Sequence, residues 1–139
     1  MSYATIEDLV LGFGEQAIID LTDRSDPAAG EIDASVVARA LSDAEAEMDG
    51  YLGVKYKLPV TAQTDRLRAV SCDLAHYRLC ADRITDEVRA RYEDAVRWLR
   101  DIAAGRAVIV GAAPPDGGAS ADRFVTAVTG RRVFVGGPL

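Results

Sequence analysis

The chain is poor in the residues that most chemistry needs. Among its 139 residues there are one histidine (His76), two cysteines and one tryptophan. A Ser-His-Asp or Cys-His site would have to be built on His76, and no signature of an orienting third group or a pocket accompanies it. Cys72 lies one helical turn before His76, which is too weak a hint to carry a catalytic assignment. Cys72 and Cys80 are roughly 12 Å apart along a helix, too far to bridge. With no Cys-x-x-Cys pair, they read as small buried hydrophobes in a reducing cytosol. Cys72, His76 and Cys80 form one helical column, whereas structural zinc draws its ligands from more than one element. Asp43, Glu45, Glu47 and Asp49 lack the spacing of an EF-hand loop. Gly12 and Gly14 match only two glycines of a dinucleotide fingerprint, and no phosphate-binding loop occurs. No catalytic, cofactor or metal site is expected. No run approaches the ~18 apolar residues of a membrane span, and the opening MSYATIEDLV has no secretory pattern.

What is present is an ordinary globular composition, 49% hydrophobic with a formal net charge of −6. This length predicts one domain able to bury a core. The acidic balance argues against a broad phosphate-binding face, which needs clustered cations. The basic residues are mostly arginines interleaved with acids, as on a solvated helix face.

The most informative stretch runs from Ile32 to Pro59. Asp33 is placed to cap a long helix, with Ile32 and Val37 as a hydrophobic staple. Val37, Leu41, Ala44, Met48, Tyr51 and Leu52 form one apolar stripe. Gly53 is expected to end the helix in the left-handed conformation, and Pro59 bars a return to helix. Before it, Thr5 and Asp8 make a capping box for a short helix to Phe13. A second short helix, 15–21, points Ala17, Ile18 and Leu21 inward, and a loop follows from Thr22 to Gly30. After it, Thr64 is expected to cap a helix with Leu67, Val70, Leu74, Tyr77, Ala81 and Ile84 on its stripe; this helix is apolar enough to be the most buried. Thr85 caps a third long helix that turns Val88, Tyr92, Ala95, Val96, Leu99, Ile102 and Ala103 inward and stops at Gly105. Its outer face offers i,i+4 pairs such as Arg97–Asp101. Ala107 to Val110 is a short β-prone run. The fold class is mainly α, a small bundle of three long helices plus short N-terminal helices. A helical domain, 1–110, precedes a linker and arm, 111–139, extended or folded as a hairpin around Thr129-Gly130. There are no internal repeats.

The order Tyr51-Leu52, Lys55-Tyr56, Leu58-Pro59 after an acid-rich helix resembles the head–tail connector, or head-completion, proteins of Mu-like tailed phages. Other matching motifs are Tyr3, Asp8-Leu9, Phe13-Gly14, Leu21-Thr22-Asp23, Asp73, Ala75, Tyr77, Leu79, Arg91-Tyr92 and Ile102-Ala103-x-Gly105. Together they span most of residues 3 to 110. Lys55 stands where arginine is expected, which keeps the charge but loses the planar fork. Beyond residue 110 the match thins to Arg132-x-Phe134. The resemblance implies a non-enzymatic structural adaptor in the virion neck, assembled in the host cytoplasm. It would form a homo-oligomeric ring of twelve copies between portal and tail or stopper proteins, with DNA only as passing cargo and no membrane. The expected protein-interface residues are Tyr51, Lys55, Tyr56, Lys57 and Pro59 in the exit loop, with Phe124, Arg132 and Phe134 in the arm. Two other classes stay open: a DNA-binding regulator using the helix from Arg89 to Arg100, and a small enzyme built on Cys72 and His76.

Overall fold

The computed structural model describes residues 3–24, 29–62, 64–81 and 83–115. Phe124, Arg132 and Phe134, and with them the expected arm, lie outside the described residues. Five helices appear: α1 (Ile6–Phe13), α2 (Glu15–Thr22), α3 (Ala34–Leu52), α4 (Thr64–Cys80) and α5 (Asp86–Ala103). The three long ones form the bundle. α3 and α4 each touch all four other helices, α5 lies against both, and the α1–α2 pair closes the remaining side. Among the described residues there is no strand, so the β-prone run from Ala107 to Val110 takes another conformation.

The caps follow local chemistry. Thr5 and Asp8 exchange the reciprocal bonds of a capping box at the start of α1. Asp33 caps α3 by accepting from the Ser35 and Val36 amides, and bonds from Ser35 and Val36 hold its carboxyl below its ordinary range. Thr85 accepts from the Val88 amide to open α5. Gly14 at φ 93° ends α1, and Gly105 at φ 82° follows α5; both are conformations that cost glycine least.

Five local expectations are corrected. Gly53 is right-handed, with φ −64° and ψ −14°. A Cβ there would lie 3.0 Å from the Asp49 carbonyl and 3.2 Å from the Leu58 side chain, so glycine is needed for close approach. α4 ends at Cys80, and Ala81 turns left-handed at φ 49°, which leaves Ala81 and Ile84 off the helix. α4 also includes Thr64 itself, so its capping position falls on residue 63, outside the described residues. Arg97 pairs with Asp94 at 3.0 Å, while Asp101 pairs with Arg106 beyond the helix end. Thr22, read as the start of a loop, is the buried last residue of α2. Its hydroxyl donates to the Ile18 carbonyl at 2.8 Å and accepts from the Asp33 amide at 3.1 Å, which ties the end of α2 to the start of α3.

The core is one cluster. Val37, Leu41, Ala44, Met48 and Leu52 of α3 meet Leu67, Val70, Leu74, Ala75 and Leu79 of α4, with Leu99 and Ile102 of α5 and Leu9 and Ile18 from the front pair. Ile109 is buried in the same cluster although it lies beyond the last helix.

Candidate functional site

Three places carry groups that a function could use: the end of the bundle where α3 exits, the groove between α3 and α5, and the column on α4.

At the first, residues 53–60 leave α3 and run beside residues 105–113, which return from α5. The Ile109 amide donates to the Tyr56 hydroxyl at 2.9 Å, and the Lys57 amide donates to the Ala113 carbonyl at 2.9 Å. The Lys55 ammonium comes within 4 Å of where a Cβ on Gly105 would sit, and Ala62 sits at a similar distance from the corresponding point on Gly111. Tyr3 clamps the far side of the loop: its hydroxyl donates to Asp49 at 2.6 Å and accepts from the Val60 amide at 3.4 Å. Burial, then the bond to Asp49, pushes that phenol well above its ordinary pKa. The exit loop is therefore held on both sides. Tyr51, Lys55 and Tyr56 are half-buried, whereas Lys57, Leu58 and Pro59 are exposed. Tyr56 spends its hydroxyl inside the molecule and packs against the core. The returning segment shows Val108 and Val110 to solvent and turns Ile109 inward. The sequence places these valines in an undifferentiated apolar run. An alternation of out, in, out about Ile109 was the available signal.

The groove between α3 and α5 encloses about 690 Å³ and is lined by Glu47, Tyr51, Tyr92, Val96, Arg97 and Arg100, among others. Glu47 is its polar hub. One carboxylate oxygen takes Arg78 at 2.8 Å and the other takes the Tyr92 hydroxyl at 3.0 Å. Tyr92 stacks on Tyr77 with centroids 3.9 Å apart. Burial, and then donation to Glu47, raises the Tyr92 phenol. These bonds join α3, α4 and α5 at one point. They fix the spacing of the bundle and commit both oxygens of Glu47 to neighbouring helices.

On α4, Cys72 and Cys80 are buried free thiols and His76 is half-buried. The sulfur nearest the imidazole is Cys80, 3.9 Å from His76 Nε2, and not the Cys72 favoured by the sequence pairing. His76 lies flat on Phe13, with centroids 3.8 Å apart and planes 5° from parallel. Burial lowers its pKa, helped by the nearby Arg91 charge. Burial pushes the Cys72 thiol up to about 11 and also raises Cys80. A thiol so placed holds its proton, the opposite of an activated nucleophile. Among the described residues, no group of three or more histidines, cysteines and acids is arranged to hold a metal ion.

The outward side of α5 carries Arg89, Arg97 and Arg100, all exposed and interleaved with Glu93 and Asp94. Among the described residues no helix is long and apolar enough to cross a membrane.

The geometry is thus that of a small helical bundle tied together at Glu47 and Tyr3, with apolar loop residues turned out at one end. The sequence matches the family described as Bacteriophage Mu, Gp36 over residues 3–127, and the chain belongs to that family. It is 35% identical to gene product J of Escherichia phage Mu over 106 residues, which cover 76% of this chain and 74% of that protein. It is 39% identical to the Mu-like prophage FluMu protein gp36 of Haemophilus influenzae over 79 residues, 57% of this chain and 56% of that one. This is a Mu-like phage protein.

Proposed function

We propose that the protein is a structural head–tail adaptor that forms a ring between portal and tail and lets DNA pass through it. Membership of a family of Mu-like phage proteins across residues 3–127 carries this reading. Three features of the structure support it. The Glu47–Arg78–Tyr92 and Tyr3–Asp49–Val60 clusters tie separate elements of the bundle together. The thiols are kept protonated by burial, which speaks against a cysteine-dependent enzyme. On α5, Arg97 is held by Asp94 and the exposed arginines are interleaved with Glu93 and Asp94, which speaks against a duplex-binding helix.

On this reading, the surfaces that meet the portal and other copies include Lys57 and Pro59 in the exit loop and the rim of the groove at Tyr51. The arm residues Phe124, Arg132 and Phe134 belong to the same set, as contacts made by the tail of the chain. Its partners are further copies of itself, the portal, and tail or stopper proteins.

Assembly tests the proposal. Purified protein should join portal-bearing capsids, and a phage lacking the gene should accumulate filled heads without tails. Tailed particles from the deletion strain would overturn it.

A further inference from the structure

Five large apolar side chains are exposed among the described residues: Leu11 at 86%, Val54 at 57%, Leu58 at 38%, Val108 at 67% and Val110 at 74%. Leu11 stands alone on α1. The other four lie on two segments, the exit loop and the stretch after α5, which are bonded together through Tyr56–Ile109 and Lys57–Ala113. A turn joins the Ala112 amide to the Ile109 carbonyl at 3.3 Å, and Gly111 takes φ 88° within it. The backbone beneath the four side chains is therefore fixed. Apolar side chains gathered on a fixed backbone mark a contact surface.

The chain itself continues from the edge of this patch. Ala113, whose carbonyl accepts from the Lys57 amide at 2.9 Å, comes two residues before Pro115, where the described residues end. Residues 116–139 follow, and their composition splits in two. From Asp116 to Arg123 there is no large apolar residue. From Phe124 to Val135 there are Phe124, Val125, Val128, Val133, Phe134 and Val135, which include two of the chain's three phenylalanines. Chain length lets these residues return to the patch. Val108 is seven residues before Pro115, so at most about 25 Å from it, whereas Phe124 is nine residues after it and can extend about 30 Å.

Two occupants compete for the patch, this tail and a separate molecule. A segment tethered by so short a chain meets its own patch at an effective concentration on the order of millimolar, which a separate molecule must match to displace it. The contact asked of the tail is apolar, and its arginines, Arg123, Arg131 and Arg132, fall outside the two apolar runs 124–128 and 133–135. We propose that residues 124–135 dock over Val54, Leu58, Val108 and Val110 of the same copy. The contact is shallow and lifts before the bundle unfolds, so it adds little to the stability of the core. It belongs to the free subunit and stands or falls apart from the adaptor reading.

Thiol labelling of the full chain tests it, at concentrations where the chain sediments as a monomer. Val108→Cys should react with a soluble maleimide about tenfold more slowly than the same variant carrying Phe124→Asp and Phe134→Asp, because the thiol is reached only when the tail lifts. Cys72 and Cys80 are buried, and the wild-type chain supplies their background. Val110→Cys should show the same protection. Leu11→Cys, on α1, is the exposed reference and should react at one rate with or without the tail substitutions. The protection of Val108→Cys should hold on dilution. A fast-reacting Val108→Cys, or protection that the two tail substitutions leave in place, would overturn the proposal. So would protection that disappears on dilution, since a second copy would then be the occupant. Joining of the wild-type chain to portal-bearing capsids tests the adaptor reading separately, and neither result decides the other.

Discussion

Cys72, His76 and Cys80 stand one turn apart on α4, and Val54, Val108 and Val110 crowd the end where two loops meet. By residue type the column is the place to look for chemistry, and the valines are filler. Their surroundings reverse this. The column faces Phe13 and the core, where burial keeps the thiols protonated and the imidazole neutral. The valines face solvent on a surface whose backbone is tied down from both sides. Reactivity depends on access and on stabilising the charged form; the two thiols are buried and their charged form is disfavoured. Docking depends on apolar area left exposed by a fixed backbone, and the loop end has both.

The comparison breaks most readily through the core. Leu74→Ala on α4 should cost about 2–5 kcal/mol in urea unfolding, whereas Val108→Ser should stay within about 0.5 kcal/mol. A similar loss for both would place the valine in the core. Ile109→Ala comes next, at about 2–4 kcal/mol, because its side chain fills the core from outside any helix. A negligible effect would detach the returning segment from the domain. Tyr56→Phe strands the Ile109 amide and should cost about 1–3 kcal/mol. The loss should be accompanied by faster hydrogen exchange at residue 109.

The pH response sharpens the contrast further. His76 has a folded pKa below its unfolded value. The unfolded chain therefore binds more protons in that window, and stability falls as pH drops below about 6.5. His76→Phe removes the only histidine and should flatten that slope between pH 7 and pH 5 in urea unfolding followed at each pH. For Cys72 the sign is opposite, with stability lost only as pH rises above the unfolded thiol value toward 11. The smallest effect is expected at Ser71. Its hydroxyl is buried without a partner, so Ser71→Ala should leave the melting temperature unchanged or slightly raised.

Most of the family-like motif turns out to be a folding motif. Tyr3 clamps Asp49 and Val60, Asp8 caps α1, Gly14 and Gly105 take positive φ, Thr22 ties α2 to α3, and Tyr77 stacks on Tyr92. That is why the family could be read from short degenerate patterns while the interface could not. Such residues hold the bundle together, and they say little about what its surface meets. The groove hub at Glu47 was illegible for another reason. Its partners Arg78 and Tyr92 are 31 and 45 residues away, and no local pattern announces a bond between helices. Gly53 shows the limit of local rules, since its role is set by Leu58 folding back over it and not by its own dihedral angles.

Periodicity and caps settled the three long helices and the apolar stripes of α3 and α5, because a 3.6-residue repeat and a side-chain oxygen at an N-terminus act within one turn. Only the tertiary structure decided which of Val108, Ile109 and Val110 is core and which surface, and that the thiols are buried and the imidazole stacks on Phe13. Those outcomes depend on what distant segments bring alongside, and burial is a property of the neighbours.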